Sequence, residues 1–143
     1  MGLAIGKEVV EWVAKRTGEF HCFGTDIGIG WMKDGALVAG VAYANYNGVN
    51  IEAHIASNGS KKWMTKAFLW TIFDYPFNQA KVKRITLCIG ESNSDARKFA
   101  ENLGFVLEAR LAEAHPTGDL CIYRLFAHEC RFVQVKNEQL LAA

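Results

Sequence analysis

The sequence predicts a single α/β domain in which helices pack on a mixed β-sheet. Apolar residues recur at helical spacing in three separate segments. Apolar runs of strand length stand between these segments, and no repeat or Pro/Gly-rich linker divides the chain. The length of 143 residues is that of one ordinary domain, so we treat residues 1–143 as one folding unit.

The first third of the chain predicts a helix followed by strands. Ile5, Val9 and Val13 follow helical spacing and predict a helix over residues 4–17. Residues 27–33 and 36–44 are strand-like, and the Asp34-Gly35 pair between them is typical of a two-residue hairpin turn. A second turn at residues 47–48 leads into a strand over residues 49–57.

A second helix is expected to begin at Asn58, which is a good capping residue, and to end where Tyr75 precedes Pro76. Its apolar residues occupy a wide surface, which predicts deep packing on a sheet. Residues 84–89 then form a buried strand. Ser92, Asn93 or Ser94 caps a third helix that stops at Gly104. Two strands, 105–111 and 120–127, close the chain around a turn at 115–119.

Charge and composition exclude several classes of function. The chain has 16 basic and 15 acidic residues, a balance that disfavours nucleic acid or an anionic membrane as the main partner. Its longest apolar run, residues 35–44, is about half of the ~20 residues that span a bilayer. No leader pattern is recognisable, so we expect a cytoplasmic protein. The cysteines and His21 lack ligand spacing, and we expect free thiols and no metal site.

This order of elements, together with two local motifs, resembles the GNAT superfamily of acetyl-CoA-dependent N-acetyltransferases. The stronger motif spans residues 93–105 and resembles the family's signature of Asn, a small residue, a helix and Leu-Gly-Phe. Without a tyrosine in that helix, the segment is most similar to the branch of the ribosomal-protein acetyltransferases. The resemblance covers about residues 27–127. It implies a GNAT fold, acetyl-CoA as acyl donor and an amine on a small molecule or a protein as acceptor.

The weaker motif is the loop that holds the diphosphate of acyl-CoA. In this chain Ser57 stands where the family has Gln or Arg, and Ser60 and Lys62 stand where it has glycines. A helix N-terminus still offers unpaired N–H groups, Gly59 allows close approach, and Lys61 and Lys62 add charge. The resemblance assigns the following residues to the cofactor: Ile55, Ser57, Asn58, Gly59, Ser60, Lys61, Lys62, Trp63, Asn93 and Arg97.

Glu52 and His54 are the candidate catalytic residues. They alternate with apolar residues on the predicted strand 49–57, so both side chains lie on one face. Family members often have a general base early in this strand, and Glu52 matches it by position. His54 is the other candidate, because imidazole titrates near neutrality. The alternative is that both belong to the solvated half of an amphipathic strand.

The resemblance also implies differences from active relatives. Many relatives have a tyrosine as general acid where this chain has Ala100. The alternative function is therefore a catalytically weakened GNAT-fold protein that binds a partner or serves as an assembly subunit. We expect strands 49–57 and 84–89 to lie side by side and to part near their ends, so that the pantetheine arm enters between them. The family's first strand is expected to be missing or moved, which leaves an edge that favours a homodimer.

Overall fold

The computed structural model describes residues 2–17, 27–59 and 63–134. These residues form a seven-stranded sheet in the order β1-β2-β3-β4-β5-β7-β6. All neighbouring strands are antiparallel except the central pair β4 and β5, which is parallel. The elements are β1 (Gly2–Ile5), α1 (Lys7–Thr17), β2 (Gly28–Lys33), β3 (Ala36–Ala44), β4 (Asn50–Ser57), α2 (Lys66–Asp74), β5 (Arg84–Gly90), α3 (Ser94–Leu103), β6 (Val106–His115) and β7 (Gly118–Phe126).

Helices cover both faces of the sheet, and β3 shows how. Val41 and Ala42 are neighbours in a strand, so their side chains point to opposite faces. Ala42 belongs to the buried cluster with α1, whereas Val41 belongs to the larger core with α2 and α3. The α1 helix lies very close to the sheet, because a Cβ at Gly40 would be 3.0 Å from the methyl groups of Val9 and Val13.

Local turn and capping signals are confirmed. Asp34 and Gly35 have φ angles of 53° and 78°, the left-handed pair that a tight hairpin requires. The Asn93 side chain accepts a hydrogen bond from the N–H of Ala96 and caps α3, and Gly104 ends this helix with φ 105°. The β6–β7 turn is tighter than expected, because β6 extends to His115 and β7 begins at Gly118.

The prediction that the first strand is missing is wrong. Residues Gly2–Ile5 form β1, which pairs antiparallel with β2. Gly6 has φ 116°, a conformation that glycine adopts readily. It lets the chain turn between β1 and α1, which begins at Lys7. Among the described residues, β1 and β6 are the edge strands of the sheet. The homodimer stays a prediction, without the missing strand on which it rested.

The predicted start of the second helix is also wrong. The α2 helix is capped by Thr65, whose hydroxyl accepts from the N–H of Phe68 at 3.2 Å, and not by Asn58. Trp63 precedes the helix because its indole is buried against Phe68 and Phe99, with ring centroids 5.8 and 5.5 Å away. Packing of this side chain, rather than the first available capping residue, sets where the helix starts.

The predicted end of the second helix is confirmed, since α2 stops at Asp74 with Tyr75 as its C-cap. A π-helical turn, Tyr75–Gln79, follows α2 directly, and the N–H of Ala80 donates to the carbonyl of Tyr75 at 2.8 Å. Pro76 has no N–H to donate to the carbonyl of Ile72 four residues before it. The hydroxyl of Tyr43 donates to that carbonyl instead, at 2.5 Å.

Candidate functional site

The parallel strands β4 and β5 pair over a short distance and then part. Their register contains three pairs, Asn50 with Arg84, Ile51 with Ile85 and Glu52 with Thr86. Beyond Glu52, β4 continues to Ser57 and β5 continues from Thr86 to Gly90 without pairing to each other. This confirms the expected parting of the two strands. It leaves one backbone edge of each strand facing a gap.

A cavity of about 620 Å³ fills this gap. Residues 53–57 of β4 and 87–90 of β5 form its two sides. The α3 helix contributes Asn93, Ala96, Phe99 and Ala100; Arg16 and Thr17 come from α1, and His115 comes from the end of β6. The cavity therefore draws on five elements that are distant in sequence, and the small side chains of Ala96 and Ala100 leave its α3 wall open.

Glu52 and His54 lie on one face of β4, as the alternation predicts. Their closest side-chain atoms, Oε2 of Glu52 and Nε2 of His54, are 3.9 Å apart. The His54 side chain is 8% exposed and lines the cavity, whereas that of Glu52 is 27% exposed and stands beside it. Asn45 donates to Oε2 of Glu52 at 2.9 Å and fixes the carboxylate. The arrangement presents an imidazole to the cavity with a carboxylate behind it.

The expected diphosphate loop is described only in part, since Ser60, Lys61 and Lys62 lie outside the described residues. The N–H of Asn58 donates to the carbonyl of Val38 at 2.9 Å. The N–H of Gly59 donates to Oγ of Ser57 at 3.2 Å, and Gly59 has φ 96°. The described N–H groups of this loop are thus engaged within the protein.

The remaining predicted cofactor residues divide into two groups. Ile55, Ser57 and Asn93 line the cavity. Trp63 and Arg97 do not line it. The Trp63 ring is buried in the core, and Arg97 donates from Nε to the hydroxyl of Tyr123 at 3.1 Å and from Nη1 to the carbonyl of Glu91 at 3.3 Å. Burial raises the pKa of Tyr123, and its hydroxyl donates to Glu101 at 2.8 Å. Arg97 therefore joins α3 to β7 in this structure.

Sequence reasoning missed several cavity residues, among them Arg16, Gly90 and His115. These three lie on α1, β5 and β6, and no spacing in the sequence connects them. The C-terminal Leu-Gly-Phe motif predicts α3, but it says nothing about which side chain of the final hairpin reaches back over β5. In the described part of the chain, no group of three or more His, Cys, Asp or Glu side chains could hold a metal ion. Within the same ranges, no helix is both long and apolar enough to cross a bilayer.

Neither a family model nor a curated protein matches this amino-acid sequence. Solved structures of acetyltransferases match its fold. Ard1 from Thermoplasma volcanium has a TM-score of 0.69 at 12% identity, over 87% of this chain and 96% of that chain. Spermidine N-acetyltransferase from Vibrio cholerae, in complex with CoA and spermine, has a TM-score of 0.63 at 17% identity, over 84% and 75%.

A third match is the ribosomal-protein-S5-alanine acetyltransferase from Vibrio fischeri. Its TM-score is 0.62 at 14% identity, and the alignment covers 73% of this chain. This chain spans 63% of the length of that protein. The seven-stranded mixed sheet is the part of the fold that these matches support. The chain therefore shares its fold with these acetyltransferases.

Proposed function

We propose that this protein transfers an acetyl group from acetyl-CoA to an amine. The observation that carries the proposal is the gap between β4 and β5, which begins after the third residue pair and opens into a cavity of about 620 Å³. A gap between two parallel strands offers unpaired backbone N–H and C=O groups on both sides. The two amides of a pantetheine arm can hydrogen-bond to such groups as an added strand does. A neighbour with this fold that holds CoA and spermine supports the proposal.

The transfer itself requires removal of a proton from the amine. The amine nitrogen attacks the thioester carbonyl carbon, the C–N bond forms, the C–S bond breaks, and CoA leaves as the thiolate. His54 lines the cavity next to Glu52, and an imidazole nitrogen can accept the amine proton. Glu52, 3.9 Å from the ring, is at a distance where a negative charge stabilises the imidazolium that results. We therefore assign the role of general base to His54 and a supporting role to Glu52.

Proton delivery to the thiolate does not depend on a residue at position 100. Ala100 is fully buried and lines the cavity, so its methyl group occupies the wall where relatives carry a tyrosine. A thiol ionises near pH 8.5, so a thiolate is a good leaving group and takes its proton from solvent after departure. The amine loses one proton, which passes through His54 to water, and the thiolate gains one from water, so the protons balance.

Binding and transfer can be measured separately. Titration of the protein with acetyl-CoA tests donor binding, and release of free thiol with a panel of amines (polyamines, amino acids and N-terminal peptides) tests transfer. The proposal predicts a saturable acetyl-CoA complex and thiol release that depends on an amine. Absence of acetyl-CoA binding at millimolar concentration, measured also as the lack of any thermal shift, would overturn it.

A second candidate function is a GNAT-fold protein that binds acyl-CoA or a partner without turnover. The observation that favours it is the engagement of the N–H groups of Asn58 and Gly59 inside the protein, together with alanine at position 100. This candidate predicts acetyl-CoA binding without thiol release for any amine of the panel.

A further inference from the structure

Arg16 is fixed at the end of β4 by two contacts. It stands in the last turn of α1, and its guanidinium carbon lies 4.5 Å from the centroid of the Trp12 ring. Its Nη1 donates to the backbone carbonyl of Ser57 at 3.3 Å. A guanidinium has five N–H donors, so this bond leaves most of them available. Arg16 also lines the cavity between β4 and β5, where its charge is available to a ligand.

The distance from Arg16 to the catalytic pair fits the length of an acyl-CoA arm. Arg16 touches Ser57, and β4 runs from Glu52 to Ser57 over five residue steps, which is roughly 16 Å along an extended strand. A pantetheine arm has about thirteen bonds between its sulfur and the first phosphorus, which span roughly 16 Å when extended at the length per bond of a peptide chain. A thioester placed at the Glu52 end of the gap, where the two strands part, therefore brings the diphosphate to the end of β4 where Arg16 lies.

The described loop offers little to that diphosphate. Ser57 stands where GNAT relatives have Gln or Arg. The Ser57 hydroxyl is used by the N–H of Gly59, and the N–H of Asn58 is used by Val38. A diphosphate at this position needs compensating positive charge, because desolvation of an uncompensated charge is costly.

We infer that Arg16 binds the diphosphate of the acyl donor from the α1 side of the gap, in place of the Gln or Arg that GNAT relatives have where this chain has Ser57. The inference rests on the proposed function. A planar guanidinium can donate two parallel hydrogen bonds to phosphate oxygens, which a lysine ammonium cannot do. Stacking on Trp12 limits the freedom of the side chain before the ligand arrives, which lowers the entropic cost of ordering it on binding. Because Arg16 is exposed, the interaction weakens as salt rises.

The test compares Arg16→Gln with wild type on two acyl donors, acetyl-CoA and S-acetyl-pantetheine, which lacks the diphosphate and the nucleotide. We expect Arg16→Gln to weaken acetyl-CoA binding about tenfold, an effect in the range of a charge-assisted hydrogen bond, and to leave the KM for S-acetyl-pantetheine unchanged. Arg16→Lys restores part of the affinity. Lys15→Gln is the matched control, since it removes the same charge from the adjacent exposed position of α1.

Each outcome decides the inference. Equal losses on both donors, or an acetyl-CoA affinity unaffected by Arg16→Gln, overturn it while leaving the proposed function intact. A loss in Lys15→Gln as large as that in Arg16→Gln shows only general attraction by charge, and it also overturns the inference. If wild type does not bind acetyl-CoA at all, the proposed function fails and the inference fails with it.

Discussion

The imidazole ring of His115 lies directly over Gly90. A Cβ atom at position 90 would stand 2.7 Å from Cε1 and 2.8 Å from both ring nitrogens, well inside the ~3.5 Å of an optimal carbon contact. The same ring is held by Thr117, whose N–H donates to Nδ1 at 3.2 Å and whose hydroxyl lies 2.7 Å from that of Ser92. Gly90 and His115 thus fit together at one end of the cavity and join the final hairpin to the turn before α3.

Replacing Gly90 with alanine should displace this ring. Because the obstacle is a side chain near a turn, we expect Gly90→Ala to fold, with a lower melting temperature and weaker acetyl-CoA binding. In a His115→Ala background the added methyl meets no ring, so Gly90→Ala should cost less there. The difference defines a coupling of about 1 kcal/mol in a double-mutant cycle, within the range for residues in contact. Melting curves and acetyl-CoA titrations of the four proteins measure it. Strictly additive effects would contradict the contact.

Elements that depend on local chemistry could be predicted from the sequence. The Asp34-Gly35 turn, the Asn93 cap and the Gly104 stop each rest on the conformational preference of one or two residues. The strand Gly2–Ile5 could not be predicted in this way, because four residues are too few for a period and Ile5 also fits the helical spacing of α1.

Only the part of the site that lies on a single strand could be predicted from the sequence. Glu52 and His54 share a face of β4 because the side-chain period of a strand is two. Arg16 and His115 line the same cavity because the end of α1 and the end of β6 lie beside it in the folded chain. No spacing in the sequence indicates that these two ends come together. The start of α2 shows the same limit, since Asn58 and Thr65 are both good caps and the burial of Trp63 decides between them.

Truncation of Phe68 should severely destabilise the protein. Phe68 is fully buried on α2, and its ring lies 5.7 Å from that of Trp31 and 5.8 Å from that of Trp63. Removing a buried phenylalanine costs about 3–5 kcal/mol, a large share of the ~5–15 kcal/mol of a typical domain. We expect Phe68→Ala to be largely insoluble or to melt far below wild type. Lys66→Ala is the control, because Lys66 is exposed on the same helix; similar melting temperatures for both variants would refute the packing of α2.

The stability of the sheet should depend on pH through Glu108. Arg84 donates to both oxygens of this carboxylate, at 2.9 and 3.1 Å, and Arg124 lies 3.2 Å from Oε2. The hydrogen bonds from Arg84, followed by the charges of both arginines, lower the pKa of Glu108. Since the folded pKa lies below the unfolded value of about 4.3, the stabilisation is present above that value and is lost as pH falls through the folded pKa.

Glu108→Gln should therefore destabilise the protein at pH 7 and have little effect in strong acid. The Glu108 side chain is 37% exposed, so solvent screening limits the effect at pH 7 to at most about 1 kcal/mol. Unfolding curves from pH 7 to pH 2, at low and high salt, measure the difference between variant and wild type. Glu11→Gln, which removes an exposed carboxylate from α1, serves as control. A constant difference at all pH values would show that the effect is steric and not electrostatic.

Substitution of His54 should separate catalysis from donor binding. His54 lines the cavity, and the Glu52 carboxylate lies 3.9 Å from its ring. If His54 takes the proton of the amine, His54→Gln lowers kcat by roughly 10²-fold, the usual contribution of a general base, with a much smaller change in acetyl-CoA affinity. Glu52→Gln should lower kcat less, because it removes only the charge that stabilises the imidazolium. A larger loss in Glu52→Gln than in His54→Gln assigns the base to Glu52 instead.

His128→Gln, the same change at an exposed histidine outside the cavity, should leave kcat unchanged; a comparable loss there would remove histidine catalysis from the mechanism.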